Sequence, residues 1–245
     1  MDFYFLVICI FIIALLYSAV GQGGGSGYVA VMALFALPAA EIRPTALILN
    51  IVVSGIAVYQ FYRAGSFSWR VFLPVTLLSL PFAFVGGLLT IPSAIYGVVA
   101  GTALLVSAYF LYRKPAGSRE EVRPIPLSMS FVAGSSIGLV SGATGVGGGI
   151  FLSPLLLLKN WADARHVPGI SAGFILVNSI SALSGYFTSV RSLPEYVWIL
   201  VVVALLGGLI GSYFGSHRAG SSVIIKLLAG ILFIAGVRLI IDAIL

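Results

Sequence analysis

The sequence predicts an all-α, polytopic membrane protein made of two inverted repeats. Hydrophobic residues make up 60% of the chain, charged residues only 8%, and the mean hydropathy is +1.15, whereas a soluble domain carries roughly 25% charged residues. Long apolar runs such as 3–20 and 196–210 show no alternation of apolar and polar residues, so they are typical of spanning helices rather than barrel strands. Glycine clusters at 21–25 and 145–149, offset by 124 residues, mark the repeat.

The apolar runs predict ten helical segments, in an order of one long, one short and three long segments that occurs twice. Pro44 and Pro168 begin the third segment of each half and share the offset of the glycine clusters. We therefore expect an internal duplication, with repeats over 1–113 and 126–245. The segments are 3–20, 26–37, 44–62, 71–90 and 93–112, then 127–141, 150–158, 168–187, 196–213 and 222–244.

A polar linker over 114–125 is expected to join the repeats in the cytoplasm. The stretch 113–124 is the only long polar run of the chain, and it carries four basic residues, two acidic residues and two prolines. Such a composition is typical of a solvated loop.

Each short segment is expected to be the return leg of a hairpin with a glycine tip. A membrane span needs about 20 residues, and 26–37 and 150–158 are shorter. Each hairpin would therefore turn inside the membrane, which leaves three full crossings per repeat. Because that number is odd, the second repeat would be inverted relative to the first.

The distribution of basic residues favours this topology. The hairpin arrangement leaves only Arg43 and Arg191 in the loops of one face, whereas eight simple crossings give a weaker split of roughly seven to four. By the positive-inside rule the basic face is cytoplasmic and both termini lie outside. No basic residue precedes Arg43, so we interpret the first apolar run as a mature span rather than a signal peptide. The opposite, basic face carries Arg63, Arg70, Arg113, Lys114, Arg119, Arg123, Lys159, Arg165 and Arg218.

The two glycine clusters predict a binding site formed by backbone. Several consecutive glycines break a helix and leave amide groups without partners, and such backbone is tolerated at membrane depth only where it packs in protein or lines a wet cavity. Close helix packing is the alternative role, but consecutive glycines destabilise the helix that would pack. Glycines spaced four residues apart are instead expected to pack helices together, namely Gly134, Gly138 and Gly142, and Gly207, Gly211 and Gly215.

This duplicated pattern resembles the TauE/SafE family. The resemblance is carried by the two glycine clusters, by Leu37-Pro38, and by the segments 43–50 and 175–179, and it extends over about 5–243. It implies export or uptake of sulfite, sulfonates and related organosulfur anions across the bacterial cytoplasmic membrane. The first cluster carries Gln22 where the second has Val146, so the two halves are chemically unequal.

Twelve residues are expected to bind the substrate. Asn50 and Asn178 lie in apolar segments, where an unpartnered amide costs a few kcal/mol. In the functional alternative, they form hydrogen bonds with the exposed glycine backbone or with the substrate. In the structural alternative, they hold the helix bundle together by interhelical hydrogen bonds. Arg43 either attracts the anion or is an interfacial charge that snorkels. The full candidate set is Gln22, Gly23, Gly24, Gly25, Ser26, Arg43, Asn50, Thr144, Gly147, Gly148, Gly149 and Asn178.

The same sequence argues against an enzyme, a cofactor or a metal site. The only histidines, His166 and His217, lie at segment ends without ligand spacing, and Cys9 is the single cysteine. All seven carboxylates lie at segment ends or in loops, which disfavours transport of metal cations. Proton coupling would need Glu41, His166 or the cargo itself. The scattered basic residues form no nucleic-acid patch.

We interpret the chain as a secondary transporter of small sulfur-containing anions that works by alternating access. Its expected partners are the small anionic substrate and membrane lipid, with homo-oligomerisation and the coupling ion left open. The alternative is a structural or assembly subunit of a membrane complex without transport activity.

Overall fold

The all-α prediction is confirmed by a computed structural model. The structure describes residues 2–112, 122–189, 193–217 and 222–244, and within these ranges it contains ten α-helices and no strand. The helices are α1 (Asp2–Ser18), α2 (Gly25–Leu34), α3 (Ala39–Arg63), α4 (Trp69–Leu88), α5 (Ser93–Tyr112), α6 (Leu127–Thr144), α7 (Gly149–Leu158), α8 (Val167–Ser189), α9 (Val197–His217) and α10 (Ser222–Ile244).

Long and short helices follow the predicted order. In the described ranges six helices are long and apolar enough to cross a membrane, namely α3, α4, α5, α6, α8 and α9. The short helices α2 and α7 have 10 residues each, or about 15 Å of helix, half the thickness of a bilayer core. The chain is therefore a multi-pass membrane protein with two helices too short to span.

The short helices end in the same backbone motif. Ala36 after α2 and Asn160 after α7 adopt left-handed φ angles of 55° and 53°. In α2, the Leu37 amide donates to the Met32 carbonyl, and in α7 the Trp161 amide donates to the Leu156 carbonyl, which is the Schellman pattern of helix termination. All of these positions are related by the 124-residue offset. This agreement supports an internal duplication at the level of individual hydrogen bonds.

The contacts between helices are also equivalent in the two halves of the chain. Helix α4 packs against α6 and α8, and its counterpart α9 packs against α1 and α3, while α3 contacts α8 and α5 contacts α10. Replacing each helix by its counterpart in the other half reproduces these contacts. The inverted orientation of the repeats and the number of crossings in each remain predictions.

The two glycine series pack helices together, as predicted. A Cβ atom on any of these six glycines would overlap backbone of the neighbouring helix, so no larger residue allows the observed approach. Gly134, Gly138 and Gly142 of α6 lie against Val75, Ser79 and Ala83 of α4, and Gly207, Gly211 and Gly215 of α9 lie against Phe11, Leu15 and Ala19.

The hydrogen bond that Pro44 cannot make inside α3 is replaced by one from a tyrosine. Proline lacks the N–H that would bond the carbonyl four residues earlier, which here is that of Ala40. The Tyr186 hydroxyl of α8 donates to this carbonyl at 3.3 Å. In a bilayer, a freed backbone carbonyl needs such an internal partner.

Candidate functional site

Two glycine breaks interrupt the fold between helices. The first break comprises residues 19–24 between α1 and α2, and the second comprises residues 145–148 between α6 and α7. Gly24 and Gly148, which precede the short helices, have φ angles of 99° and 75°. These conformations are strained for any residue with a Cβ atom. Glycine at these positions is therefore what permits each chain reversal.

Both breaks leave backbone amides without partners. The first amide satisfied in α2 is that of Tyr28, which donates to the Gly24 carbonyl at 2.8 Å. In α7, the amides of Phe151 and Leu152 both donate to the Gly148 carbonyl at 3.1 Å. Among the residues that the structure describes, the amides of 23–27 and 147–150 donate no hydrogen bond. Two helix N-termini, each with the positive end of its dipole, thus face the interior.

The two breaks meet inside the protein, where residues 21–27 and 145–150 are all buried. A Cβ atom on Gly25 would overlap the Val146 carbonyl oxygen of the second break. A Cβ atom on Gly149 would lie 3.2 Å from Oε1 of Gln22 in the first. The structure therefore brings together the glycine residues that the sequence placed in one site.

Asn50 of α3 lies between the two breaks. Its Nδ2 atom donates to the Gly145 carbonyl at 3.1 Å, and it would lie 2.5 Å from a Cβ on Gly25 and 2.8 Å from one on Gly147. Because a carbonyl can only accept, this bond also orients the amide. The Oδ1 atom is buried and has no partner in the described part of the chain, so it is available to a ligand.

Asn178 of α8 is placed differently. Its Nδ2 atom donates to the Phe174 carbonyl of its own helix at 2.9 Å, and its Oδ1 atom is also buried without a described partner. Three other α8 residues lie against the breaks: Pro168 beside Gly21, Phe174 beside Gly148, and Ile175, which Cβ atoms on Gly23, Gly147 and Gly149 would contact. Asn178 thus lies one helical turn beyond the point where the breaks meet.

A chain of polar side chains leads away from Gln22. Its Nε2 atom donates to Ser153 Oγ of α7 at 2.6 Å, and Ser153 Oγ lies 2.7 Å from Ser171 Oγ of α8. Sequence analysis missed both serines, because a lone serine in an apolar run gives no periodic or motif signal. Gln22, which has no counterpart in the second break, thereby links the first break to α7 and α8.

The remaining polar candidates are held by local bonds. Ser26 Oγ donates to the Tyr17 hydroxyl at 3.2 Å. Thr144 Oγ1 donates to the Val140 carbonyl at 2.7 Å and accepts from the Val146 amide at 3.3 Å. Both side chains lie next to the breaks, and Thr144 holds the backbone of the second break through the Val146 amide.

Arg43, whose backbone lies beside Gly145 of the second break, caps two helices with its side chain. It is 5% exposed, and its guanidinium donates to the carbonyls of Gly142, Leu89, Gly86 and Gly87 at 3.0, 2.7, 2.5 and 2.6 Å. These carbonyls belong to the ends of α6 and α4, where the helix dipoles are negative. The buried charge is thus stabilised by helix ends, and no carboxylate of the described residues pairs with it.

Two cavities of about 360 Å³ each lie at opposite ends of α4. The first is lined by the start of α4, by residues 122–125 and by residues 161–163 with His166. The second is lined by the end of α4, by residues 38–40 with Arg43, and by Tyr96 and Tyr186. Because α4 is 20 residues long, or about 30 Å, these cavities are separated by about the thickness of a bilayer core.

No group of three His, Cys, Asp or Glu side chains that could hold a metal ion occurs within the described residues. The expectation that no metal or cofactor takes part remains a prediction.

The chain matches membrane transporters over nearly its whole length. The family model described as Sulfite exporter TauE/SafE matches residues 6–239. A probable membrane transporter protein of Sinorhizobium fredii is 40% identical over 240 residues, which cover 96% of this chain and 97% of that protein. Another, of Methanocaldococcus jannaschii, is 28% identical over 193 residues, which cover 75% of this chain and 72% of the relative.

A third probable membrane transporter protein, of Haemophilus influenzae, is 26% identical over 248 residues, which cover 92% of this chain and 91% of the relative. No solved structure matches the chain. The resemblance found in the glycine clusters is thus confirmed by a match that includes both clusters. The chain belongs to the TauE/SafE family and is a multi-pass transporter of the cytoplasmic membrane.

Proposed function

We propose that this protein is a secondary transporter that moves small sulfur-containing anions, such as sulfite or sulfonates, by alternating access, and that it holds the anion between its two glycine breaks. The observation that carries the proposal is the meeting of Gly25 with Val146 beside Asn50. It brings two sets of unpartnered amides to one buried place. The family description supports the class of substrate.

The chemistry of this place suits a small anion. Backbone amides at a helix N-terminus bind sulfate, phosphate or carboxylate groups, because the amides donate and the dipole is positive. Here α2 and α7 both present such ends, and the polar side chains that reach the breaks, Gln22, Asn50 and Ser54, are neutral. Backbone amide donors with only neutral side chains beside them favour a compact group with a single negative charge over a larger group with several.

Alternating access needs an entrance on each side of the site. The two cavities at opposite ends of α4 are suitable entrances. The exchange symmetry of the helix contacts supports a mechanism in which corresponding packings in the two halves open and close in turn.

Transport by the purified protein tests the proposal. In liposomes, we expect the protein to catalyse uptake of sulfite or a small sulfonate and to be inhibited by related anions. In detergent, the same anions should raise the apparent melting temperature, because a ligand that binds only the folded state stabilises it. A structural or assembly subunit would show neither flux nor stabilisation, and that result would refute the proposal.

A further inference from the structure

The cavity at the start of α4 carries an excess of positive charge. We call it the basic cavity; it has a volume of about 360 Å³, and its lining includes Ser68, Arg70, Arg123, Trp161, Asp163 and His166. The two arginines come from different parts of the chain, Arg70 from the first turn of α4 and Arg123 from the segment before α6. The Arg123 amide donates to the Asn160 carbonyl at 2.7 Å, which fixes this segment against the end of α7.

The carboxylate that lines the basic cavity, Asp163, already has hydrogen-bond partners. Asp163 Oδ1 accepts from the His166 amide at 3.0 Å and lies 2.7 Å from Nδ1 of the His166 ring. In the described ranges of the chain, neither Arg70 nor Arg123 forms an ion pair with a carboxylate. Asp163 is the one carboxylate among the described lining residues, so a bound anion would balance the remaining positive charge of the two arginines.

The two helices that begin at the basic cavity differ in how their first turns are capped. Asp163 supplies a carboxylate beside the start of α8. At the start of α4, Ser68 is the N-cap residue and its side chain makes no capping bond, although Ser68 also lines the cavity. The first amides of α4 are therefore left to another acceptor, in the same cavity as the two arginines.

The location of the basic cavity is the membrane surface. Trp69, Tyr62 and Phe67 surround the start of α4 in edge-to-face contacts with ring centroids 5.0 and 5.9 Å apart, and Trp69 and Tyr62 are more than half exposed. Exposed Trp and Tyr residues mark the level of the lipid headgroups. Leu73 and Leu77 continue this exposed face along α4.

We propose that the basic cavity is a second, peripheral site for a tetrahedral oxyanion, separate from the glycine breaks. The side chains of Arg70 and Arg123 donate hydrogen bonds to the oxyanion, and the backbone amides in the first turn of α4 donate to it as well. A phosphate group can be supplied either by an anionic phospholipid, whose headgroup lies at this level, or by a free ion from solution. The proposal does not depend on transport through the glycine breaks.

Binding to purified protein tests this site and identifies the source of the anion. Inorganic phosphate is added to the protein, with chloride replacing it in the control so that the ionic strength stays constant. Binding is followed by the melting temperature and by the fluorescence of Trp161. The fluorescence is measured in a Trp69→Phe, Trp198→Phe background, which leaves Trp161 as the only tryptophan. In parallel, native mass spectrometry compares retention of phosphatidylglycerol with that of phosphatidylcholine. We expect phosphate, phosphatidylglycerol or both to bind, and the arm that responds identifies the source.

Matched arginine variants decide whether the basic cavity is responsible. Arg70→Gln and Arg123→Gln should each weaken binding about tenfold, because each removes a charge-assisted hydrogen bond. Arg63→Gln is the control, since Arg63 is an exposed arginine at the end of α3 that bonds Tyr59 and does not line the cavity. Gly24→Ala should leave this binding intact even where it abolishes transport. Absence of binding in both arms, or equal loss in the Arg63 variant, would overturn the proposal.

Discussion

Asn50 of α3 donates from Nδ2 to the Gly145 carbonyl, 95 residues later in the chain, at 3.1 Å. This bond joins the central helix α3 to the start of the second glycine break. It leaves Oδ1 of Asn50 buried and without a partner in the described part of the chain. A single amide therefore both shapes the break and offers an acceptor atom beside it.

Replacing Asn50 should affect both binding and stability. Asn50→Leu keeps similar bulk but leaves the Gly145 carbonyl unsatisfied, so we expect the free energy of unfolding to fall by about 1 to 3 kcal/mol. Anion affinity in the folded fraction should fall as well, because the second break loses the bond that positions its backbone amides. Thermal unfolding combined with an anion titration measures the two effects separately.

Asn178→Leu is the matched variant for this experiment. The Asn178 amide donates to a carbonyl of its own helix. Removing it therefore leaves no carbonyl of either break unsatisfied, so this variant should lose less free energy of unfolding than Asn50→Leu. Sequence analysis expected both asparagines to bind substrate. Unchanged affinity in both variants would reject that role for the pair, and a loss confined to Asn50→Leu would restrict it to one residue.

The role of Arg43 can be separated from that of a simple positive charge. Arg43→Lys keeps the charge, but one ammonium group cannot reach the four carbonyls that the guanidinium bonds. We expect a loss of about 1 to 3 kcal/mol in unfolding free energy, with anion affinity in the folded fraction largely retained. If affinity falls while stability is unchanged, Arg43 binds the anion directly instead of capping α4 and α6.

Sequence patterns predicted the helices because the helix boundaries depend on local chemistry. The second short segment was predicted as 150–158 and is observed as Gly149–Leu158, since glycine at its start and polar residues after it fix both ends. The first short segment was predicted as 26–37 but ends at Leu34. The left-handed Ala36 ends it, and alanine gives no signal of that conformation.

The site was predictable only in part, because partners across the fold depend on tertiary packing. The glycine clusters themselves indicated a backbone site. The bonds from Gln22 to Ser153 and from Arg43 to Gly142 join residues 131 and 99 positions apart. No periodicity within one segment encodes such pairs, which form only when α7 and α6 pack against the breaks.

Acid should remove the contribution of Asp163 to stability. Burial alone would raise the pKa of the Asp163 carboxyl, but hydrogen bonds from the backbone and ring of His166 lower its pKa below the ordinary value of 3.8. A carboxyl with a lowered folded-state pKa stabilises the protein above its unfolded-state pKa, and this contribution is lost as pH falls through the folded-state value. The stability gap between the parent and Asp163→Asn should therefore shrink below pH 3.8. Melting temperatures across a pH series measure it, and a gap independent of pH would contradict the assignment.

Inversion of the repeats predicts opposite locations for matching helix starts. Ser68 precedes α4 and Glu195 lies two residues before α9, so an inverted second repeat places them on opposite membrane faces, with Ser68 in the cytoplasm. Single cysteines at these positions, in a Cys9→Ala background, should react with an impermeant reagent from opposite sides. Labelling of both from one side would reject the inversion.

The glycine breaks predict that transport fails when a single methyl group is added at either short helix. Gly24 and Gly148 have φ angles of 99° and 75°, and a Cβ atom would lie 2.5 Å from the Tyr28 ring or 2.8 Å from the Ile137 side chain. Alanine in such a conformation costs roughly 1 to 2 kcal/mol, and its methyl group would stand beside the amides that hold the anion. Gly24→Ala and Gly148→Ala should therefore lose flux and anion binding while a folded fraction survives.

Gly55→Ala provides the control for the glycine variants. Gly55 lies in α3, where the nearest atom to an added Cβ is 3.9 Å away on Leu176, and alanine is the better helix former. This variant should match or exceed the parent in stability and transport at the parent's rate. If Gly24→Ala and Gly148→Ala also transport at that rate, the anion does not bind at the breaks. The cavity beside Arg43 then becomes the candidate to test, because its guanidinium is the buried positive charge nearest to an entrance.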